Sequence, residues 1–262
     1  MKSFRGDLIK LYNLLRQKIP FAFTRFSDGC EAIINNYKLE IDNDKVVFGD
    51  TVFNKGFASE DHKLFDPSIP KHQEVRKKLF ESFLFEKHNY FKGLICPCCC
   101  GEERFQKMKD LYGEDKKHMT FSNLFVNLNY DFFLDVVTPE IAKRDIILIC
   151  NEKSNIEKLP FKVKKDFRVG NNCIINNFNI IKEIKEYYYK NKLQDTILLS
   201  SASSLSNMII YELFKNYDNN TYLNIGSCYN NYLGLSIERD YLLARWKYKK
   251  QYGLSHRNCI IW

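Results

Sequence analysis

The sequence predicts an α/β protein with a doubly wound, mostly parallel sheet flanked by helices. Short apolar runs such as DIILICNE (145–152) alternate with segments of helical periodicity, and that alternation is typical of parallel sheets. An apolar run bounded by polar residues is what a strand buried on both faces requires. The chain has 262 residues and is long enough for a full core. We therefore expect a single α/β domain over residues 1–262, ending in a basic, aromatic tail over 241–262.

The first half of the chain shows both helical and strand patterns. Apolar residues three or four positions apart predict an amphipathic helix at the start, and the alternating FAFTRF predicts a strand after it. Glycines and prolines mark a long central stretch as loops. The predicted elements are a helix over 3–18, a strand over 21–26, a helix over 27–37, loops over 46–70, a helix over 71–86, a strand over 89–96 and a helix over 102–111.

The second half is more regular and repeats the order of strand, loop and helix. The predicted elements are a strand over 145–152, a short strand within NNCIINNFN (171–179), a helix over 180–193, a strand, serine-rich loop and helix across 195–217, and a strand over 221–227. Doubly wound sheets bind ligands beyond the carboxyl ends of their strands. This rule selects four loops as candidate sites: 27–31, 96–101, 150–154 and 200–206.

Basic residues give the chain a net charge of +8 and collect in two segments. KVKKDFR (162–168) is one, and RWKYKKQYGLSHR (245–257), which mixes lysines with aromatic residues, is the other. Such mixing is typical of surfaces that bind nucleic acid. A solvated lysine-rich surface would have the same composition.

The cysteines and the apolar segments indicate a cytoplasmic protein. The nine cysteines are an odd number and include three in a row, an arrangement better suited to a reducing compartment than to disulfides. No apolar stretch approaches the roughly 18 residues of a membrane span, and the start of the chain lacks a signal-peptide pattern. CPCCCGEE (96–103) has no second cysteine pair, so we expect partly buried thiols there and not zinc.

The stretch RFSDGCEAII (25–34) places Asp28 and Glu31 three residues apart, where a strand passes into a helix. A short polar residue followed three positions later by Glu is typical of a helix cap. The same carboxylates suit Mg²⁺ or Mn²⁺, which prefer oxygen ligands and the phosphates of a bound molecule. Gly29 would let the backbone approach such a molecule closely. Both interpretations stay open, because a carboxylate has two oxygens.

Two further loops carry candidate side chains. Asp61 and His62 lie in a loop rich in acidic residues and histidine, where they suit proton transfer or hydroxyl binding, although a polar surface loop would look the same. LLSSASSLSN (198–207) places Ser201, Ser203 and Ser204 between a strand and a helix, where free N–H groups attract phosphate. A serine-rich helix cap would give the same pattern. The loop lacks the glycines and lysine of a Walker motif, so ATP hydrolysis is not indicated.

FTRFSDGCEAII (23–34) resembles the strand, loop and helix that open the GT-D fold glycosyltransferases, which carry an R-[FY]-G-D-G-E signature. DIILICNE and the late segments ILLSSASSLSNMIIYEL and NTYLNIGS resemble later parts of the same family. The resemblance implies a Rossmann-like sheet of GT-D type. In that family an Asp-x-Glu motif binds Mn²⁺ and the diphosphate of a UDP-sugar. Here the place of the Glu is taken by Cys30, and Glu31 stands one residue further on.

The resemblance implies transfer of a sugar from a nucleotide sugar to an acceptor hydroxyl, with Mn²⁺ or Mg²⁺ as cofactor. It implies Asp28 and Glu31 as metal ligands and Asp28 as a catalytic candidate; for the general base, side-chain chemistry alone favours Asp61 or His62. The resemblance implies Arg25, Ser201 and Ser203 as residues of the donor pocket, and the strand-end loops add Ser27, Gly29, Asn151 and Ser204 as donor-binding candidates.

The acceptor and the class of activity both stay open. The acceptor is expected to be a glycan or glycoprotein, or a modified DNA base if the basic segments bind nucleic acid. The alternative is a non-catalytic nucleic-acid-binding or interaction protein on a degenerate transferase fold. The displaced Glu31 favours that alternative, as does Asn224, which stands where an acidic residue is typical.

Overall fold

The computed structural model describes residues 4–42, 45–54, 62–113 and 117–243, which form two sheets and the helices around them. The strands are β1 (Ala22–Phe26), β2 (Leu39–Asp42), β3 (Lys45–Phe48), β4 (Thr51–Asn54), β5 (Lys63–Phe65), β6 (Tyr90–Leu94), β7 (Met119–Phe121), β8 (Ile146–Asn151), β9 (Val163–Val169), β10 (Ile197–Ser200) and β11 (Thr221–Asn224).

The helices are α1 (Phe4–Arg16), α2 (Asp28–Ile34), α3 (Pro70–Leu84), α4 (Pro97–Cys100), α5 (Glu102–Tyr112), α6 (Tyr130–Phe132), α7 (Thr138–Ile141), α8 (Cys173–Asn176), α9 (Ile180–Asn191), α10 (Leu205–Asn216) and α11 (Asp240–Leu243). A 3-10 turn (Asn127–Asn129) precedes α6, and a π-helical turn (Phe133–Val137) joins α6 to α7. None of the described helices is long and apolar enough to cross a membrane.

The main sheet has seven strands in the order β7-β6-β1-β11-β10-β8-β9, and every pairing in it is parallel. Helices cover both faces. Phe26 contacts Phe83 of α3, whereas Phe23, three positions earlier and therefore on the opposite face, contacts Phe125. The predicted doubly wound α/β fold is confirmed.

The core strands carry the continuous apolar runs that the sequence shows. The first five residues of β8 and all four of β10 are buried, as expected of interior strands that are covered on both faces. Helix α10 packs against β1, β11, α3 and α9, which makes it the central helix of its face. All its residues from Leu205 to Phe214 are buried.

The four predicted loops lie together at one edge of the main sheet. They follow β1, β6, β8 and β10, and the carboxyl ends of parallel strands share one edge. The strands pack closely near this edge. A methyl group on the Cα atom of Gly93 would come within 2.9 Å of the backbone of Phe121 and Ser122. The carboxyl edge, meaning these strand ends and the loops after them, is therefore the place to examine for a site.

The prediction of loops over 46–70 was wrong for part of that range. The chain forms a second, four-stranded antiparallel sheet there in the order β4-β3-β2-β5. Its strands have only three or four residues, too few to show an alternating pattern clearly. Gly49, with φ of +59°, makes the turn between β3 and β4. Leu39, Ile41 and Phe65 of this sheet are buried with the main core.

The predicted strand within 171–179 was also wrong, since that segment contains α8. The strand is β9, formed by residues that stood out for their charge. β9 is an edge strand with only β8 beside it, so alternate burial suffices, with Phe167 and Val169 in the core. Charged side chains on such a strand discourage pairing with other molecules. Most of the predicted basic tail, from residue 244 onward, lies outside the described residues, and the single-domain boundary stays a prediction.

Replacing Leu199 by alanine tests the packing of the central strands. Leu199 lies in β10 and is fully buried, so Leu199→Ala should lower the free energy of unfolding by about 2–5 kcal/mol through lost burial and a cavity. Leu84→Ala is the matched control, because Leu84 is 45% exposed at the end of α3. Urea denaturation measures both. Equal losses in the two variants would contradict the burial of Leu199 in the core.

Candidate functional site

The junction of β1 and α2 is held by the side-chain amide of Asn207 from α10. Its oxygen accepts the backbone N–H of Arg25 at 3.0 Å, and its nitrogen donates to the Arg25 carbonyl at 2.8 Å. The same oxygen accepts a bond from Asn224 at 2.8 Å, and Asn224 in turn accepts the N–H of Gly226. Asn207 is fully buried. One amide therefore fixes the carboxyl ends of two strands relative to α10.

Asp28 and Glu31 leave this junction in different directions. The side chain of Asp28 is 65% exposed, whereas that of Glu31 is 4% exposed. Glu31 accepts two bonds from Nε of Arg104 at 3.2 and 2.9 Å, and a third, shorter one from Nη2. Nη2 also lies 3.9 Å from the nearer oxygen of Asp28. The hydrogen bonds with Glu31 raise the pKa of Arg104.

Neither carboxylate makes the capping bonds that the sequence suggested. Helix α2 begins with Ser27 at its cap position, and the Ser27 side chain makes no capping hydrogen bond. Cys30, at the position of the second acidic residue in the signature, is buried; its thiol donates to Ser204 at 3.2 Å and accepts a bond from Asn207 at 3.4 Å. Burial raises the pKa of the Cys30 thiol. Cys30 is therefore a neutral packing residue, not a ligand.

Arg25 places a guanidinium near the carboxyl end of β1, an interior strand of the main sheet. Nε donates to the carbonyl of Ser122, at the end of β7. The Nη1 end lies over Gly226, so closely that a methyl group on that glycine would be 2.0 Å away. Within the described ranges no carboxylate lies within ion-pair distance of Arg25. Its remaining N–H groups are available to an anion at this edge.

The serine-rich loop between β10 and α10 lies beside these groups. Ser201 donates to the carbonyl of Gly226 at 2.6 Å, and Ser204 receives the Cys30 bond. Ser203 is exposed and has a φ of +51°. Ser27, at the end of β1, is also exposed. The structure thus brings the expected serines to one edge, with Ser203 and Ser27 open to solvent and Ser201 and Ser204 bonded to protein.

Lys63 is a site residue that the sequence did not single out. It lies on the same face of β5 as the buried Phe65 and is half-buried. Its ammonium lies close enough to Cys30 and Cys173 to counteract the effect of burial on both thiol pKa values. In the part of the chain described, no carboxylate pairs with Lys63. Lys63 lies in a segment that the sequence predicted to be a loop, because the three residues of β5 are too few to show a strand pattern.

Strand β5 reaches the carboxyl edge because Asn172, after β9, binds it. The side chain of Asn172 bonds the backbone N–H and carbonyl of Leu64 at 3.1 and 3.2 Å, and its own N–H donates to the His62 carbonyl. The Nδ1 atom of His62 lies 2.9 Å from a carboxylate oxygen of Asp42. Asp61 lies outside the described residues. Among the described residues, the carboxylate beside His62 is thus Asp42, which the sequence did not single out.

Asn151 ends β8 and is only half-buried, but its side chain is used locally. Its oxygen accepts the N–H of Lys153 at 2.8 Å, which closes a turn. Arg168 donates to the carbonyls of Asn151 and Ser154 and also pairs with Asp166. The backbone and side-chain groups of Asn151 are thus used within its own loop.

The structure has a separate groove of about 520 Å³ on the outer side of α9 and α10. Two of its three lysines, Lys78 and Lys185, pair with Glu212. Burial opposes the ionisation of Glu212, but the two lysines outweigh it and lower the carboxyl pKa. None of the residues that line this groove belongs to the strand-end loops. The groove is therefore distinct from the site at the carboxyl edge.

Comparison with known proteins supports the fold. No family model and no curated protein matches the sequence. Three solved structures match, each over 86% of this chain. A structure of domain of unknown function 1792, described as having a distinct glycosyltransferase fold, has a TM-score of 0.56 and 11% identity over 78% of its length. Its selenomethionine-substituted form has a TM-score of 0.55 at the same identity.

The third structure is described as a new glycosyltransferase of this domain type from Streptococcus sanguinis, with a TM-score of 0.54 and 13% identity over 81% of its length. At such identities the likeness establishes the fold alone. The GT-D resemblance that was drawn from the β1–α2 segment is therefore confirmed at the level of architecture.

Removing the amide of Asn207 should destabilise the whole junction. Asn207→Ala leaves a buried N–H and carbonyl of Arg25 without partners, and we expect a loss of about 2–5 kcal/mol in unfolding free energy. Asn216→Ala, at the exposed end of the same helix, should change it by less than about 0.5 kcal/mol. Chemical denaturation compares the two. A loss at Asn207 no greater than at Asn216 would show that the amide does not hold the junction.

Proposed function

We propose that this protein is a glycosyltransferase that moves a sugar from a nucleotide sugar, a UDP-sugar by resemblance, to an acceptor hydroxyl. The shared architecture with proteins described as glycosyltransferases supports this assignment. So does the position of the candidate site at the carboxyl edge, the usual ligand position in doubly wound sheets.

The observation that carries the proposal is the guanidinium of Arg25. It lies near the carboxyl end of the interior strand β1, against Gly226, whose lack of a side chain leaves room for it, and it has no carboxylate partner in the described part of the chain. The exposed Ser203 and the start of the twelve-residue helix α10 follow β10, two strands away from β1 in the sheet. Arginine forms strong hydrogen bonds with phosphate, and a helix start favours negative charge. These groups suit the diphosphate of a nucleotide sugar.

The reaction would need positive charge on the departing nucleoside diphosphate and a base for the acceptor hydroxyl. Arg25 and the α10 start would meet the first need. His62 is our candidate for the second if the transfer inverts the sugar. With its Nδ1 proton bonded to Asp42, the Nε2 atom of His62 is left to accept a proton. The Mn²⁺ or Mg²⁺ that the resemblance implies stays a prediction.

For the acceptor we propose a hydroxyl of a glycan or glycoprotein. The basic segment 162–168, which raised the possibility of a DNA acceptor, is an edge strand with part of its charge already paired. Lys164 pairs with Asp145, and Arg168 pairs with Asp166. A DNA acceptor would instead show affinity that falls steeply with salt, by about 0.9 log units per phosphate contact for each log unit of salt.

Nucleotide-sugar binding is the first test. At a ligand concentration of 100 times Kd, binding stabilises by about 2.7 kcal/mol, which should raise the melting temperature by roughly 5–10 °C. We expect this rise with UDP or a UDP-sugar, and a loss of affinity of about 10- to 100-fold in Arg25→Gln, which removes charged hydrogen bonds. Arg16→Gln, exposed at the end of α1, is the control. Equal affinities in both variants would remove Arg25 from the site.

Replacing His62 separates binding from chemistry. His62→Gln removes the proposed base but leaves Arg25 and the serine loop intact, so sugar transfer should fall about 100-fold or more while UDP affinity stays within about twofold. Asp42→Asn should lower transfer less, because it only disturbs the orientation of the imidazole. Release of UDP from the donor in the presence of acceptor measures both. Full activity in His62→Gln would assign the base elsewhere, and Asp61 would be next.

A further inference from the structure

The fold implies a divalent metal ion, and the side chains present can be tested for whether they suit one. The two candidate carboxylates are Asp28 and Glu31. Glu31 is buried, and both of its oxygens accept hydrogen bonds from Arg104. A ligand to Mn²⁺ or Mg²⁺ must turn a lone pair toward the ion. Glu31 directs both oxygens at a guanidinium instead.

Asp28 does not offer a better place for the ion. Its Oδ1 atom lies 3.9 Å from Nη2 of Arg104 and accepts a bond from the Cys100 thiol at 3.2 Å. An ion bound at about 2.1 Å from that oxygen would lie within about 6 Å of the guanidinium, and the two like charges would repel. The ring of Phe48 lies under the guanidinium, with its centre 5.3 Å from the central carbon, which helps to keep Arg104 in position.

No other side chain near the signature completes a metal site. Cys30, in the place of the second acidic residue, is a buried neutral thiol facing Ser204. Across the ranges that the structure describes, no three His, Cys, Asp or Glu residues are grouped to hold a metal. The residues present therefore do not fit the ion that the fold implies.

We propose that Arg104 takes the place of the divalent ion, so that this site binds a nucleoside diphosphate without metal. This inference rests on the proposed transferase function and deepens it. The side chain of Arg104 is 37% exposed, so a ligand can reach it. Its bonds to Glu31 use Nε and Nη2, and Nη1 donates to no acceptor in the described part of the chain. A guanidinium has five N–H donors, which leaves some for phosphate oxygens.

The charges at the carboxyl edge are consistent with a guanidinium in the place of a metal ion. Two carboxylates, Asp28 and Glu31, face three fixed cations on the same group of loops and strand ends: Arg25, Arg104 and Lys63. Their sum is positive without any added ion. Glu31 is thus a positioning residue that holds Arg104 beside Asp28, and it has no direct role toward the ligand.

The test is to measure UDP binding by calorimetry in EDTA and in Mn²⁺, and Mn²⁺ binding to the free protein by electron paramagnetic resonance. We expect the same UDP affinity in both solutions and no tight Mn²⁺ binding. Arg104→Gln should weaken UDP binding about tenfold or more, since it removes charge-assisted bonds. Lys107→Gln, one turn further along α5 and paired only with Glu103 in the described ranges, is the control and should bind UDP normally.

A second pair of variants guards against misfolding. Arg104→Gln leaves the buried Glu31 carboxylate without its partner, which could unfold the protein. The double variant Glu31→Gln, Arg104→Gln replaces the ion pair by two amides. We expect the double variant to fold and to bind UDP as weakly as the loss of Arg104 predicts. Glu31→Gln alone keeps Arg104 and one oxygen that can accept a bond from it, and we expect UDP affinity in EDTA to fall, but by less than in Arg104→Gln. If Glu31 were a metal ligand, that single change would abolish Mn²⁺-dependent binding.

The possible results separate the two proposals. The proposal that Arg104 replaces the metal ion would be overturned if UDP bound only with Mn²⁺, or if the protein bound Mn²⁺ tightly and Asp28→Asn removed that binding. The proposed transferase function would remain in either case. Equal UDP affinity in Arg104→Gln, Lys107→Gln and the parent would also overturn the proposal for Arg104. If no nucleoside diphosphate or nucleotide sugar binds in either solution, the transferase function is overturned together with the phosphate role of Arg104. The Mn²⁺ titration then still decides whether the cation site has been lost.

Discussion

The site depends on a gap between two parallel strands that one side-chain amide fills. Strands β1 and β11 pair only through Ala22 and Phe23, and beyond that point they separate. The Arg25 backbone would be left with an unsatisfied N–H and carbonyl, which is costly inside a protein. Asn207 satisfies both, and Asn224 on the opposite strand bonds the same amide. Asn224 both donates and accepts a bond here, which an ionised aspartate could not do.

Helix α2 starts from this fixed junction, so the direction of each of its first side chains is determined. Successive residues of a helix point about 100° apart. Cys30 therefore faces Ser204 at the start of α10, while Glu31 faces Arg104 on α5 and Asp28 stays at the exposed end. An acidic side chain at position 31 therefore contacts a different group from one at position 30. Position 30 faces the serine-rich loop, whereas position 31 faces the guanidinium of Arg104.

The sequence predicted those parts of the fold that local patterns encode. The buried runs of β8 and β10 and the four strand-end loops follow from continuous apolar segments and their polar boundaries. The short strands of the second sheet have too few residues to show a period, and β9 needs only two buried side chains. The partners that define the site come from distant segments: Arg104 is 73 residues from Glu31, and Asn207 is 182 residues from Arg25. No local pattern indicates either pairing.

A parallel sheet provides some parts of an anion site through its backbone and leaves others to individual side chains. The strand ends and the start of α10 come with the architecture, so they can persist at an identity as low as 11% to the solved structures. A metal site instead needs two carboxylates aimed at one point. One arginine on α5 and one shifted glutamate are enough to replace the charge of a metal ion by that of a guanidinium, and the sheet need not change. The position of the site therefore follows from the fold, whereas the source of its positive charge follows from Glu31 and Arg104.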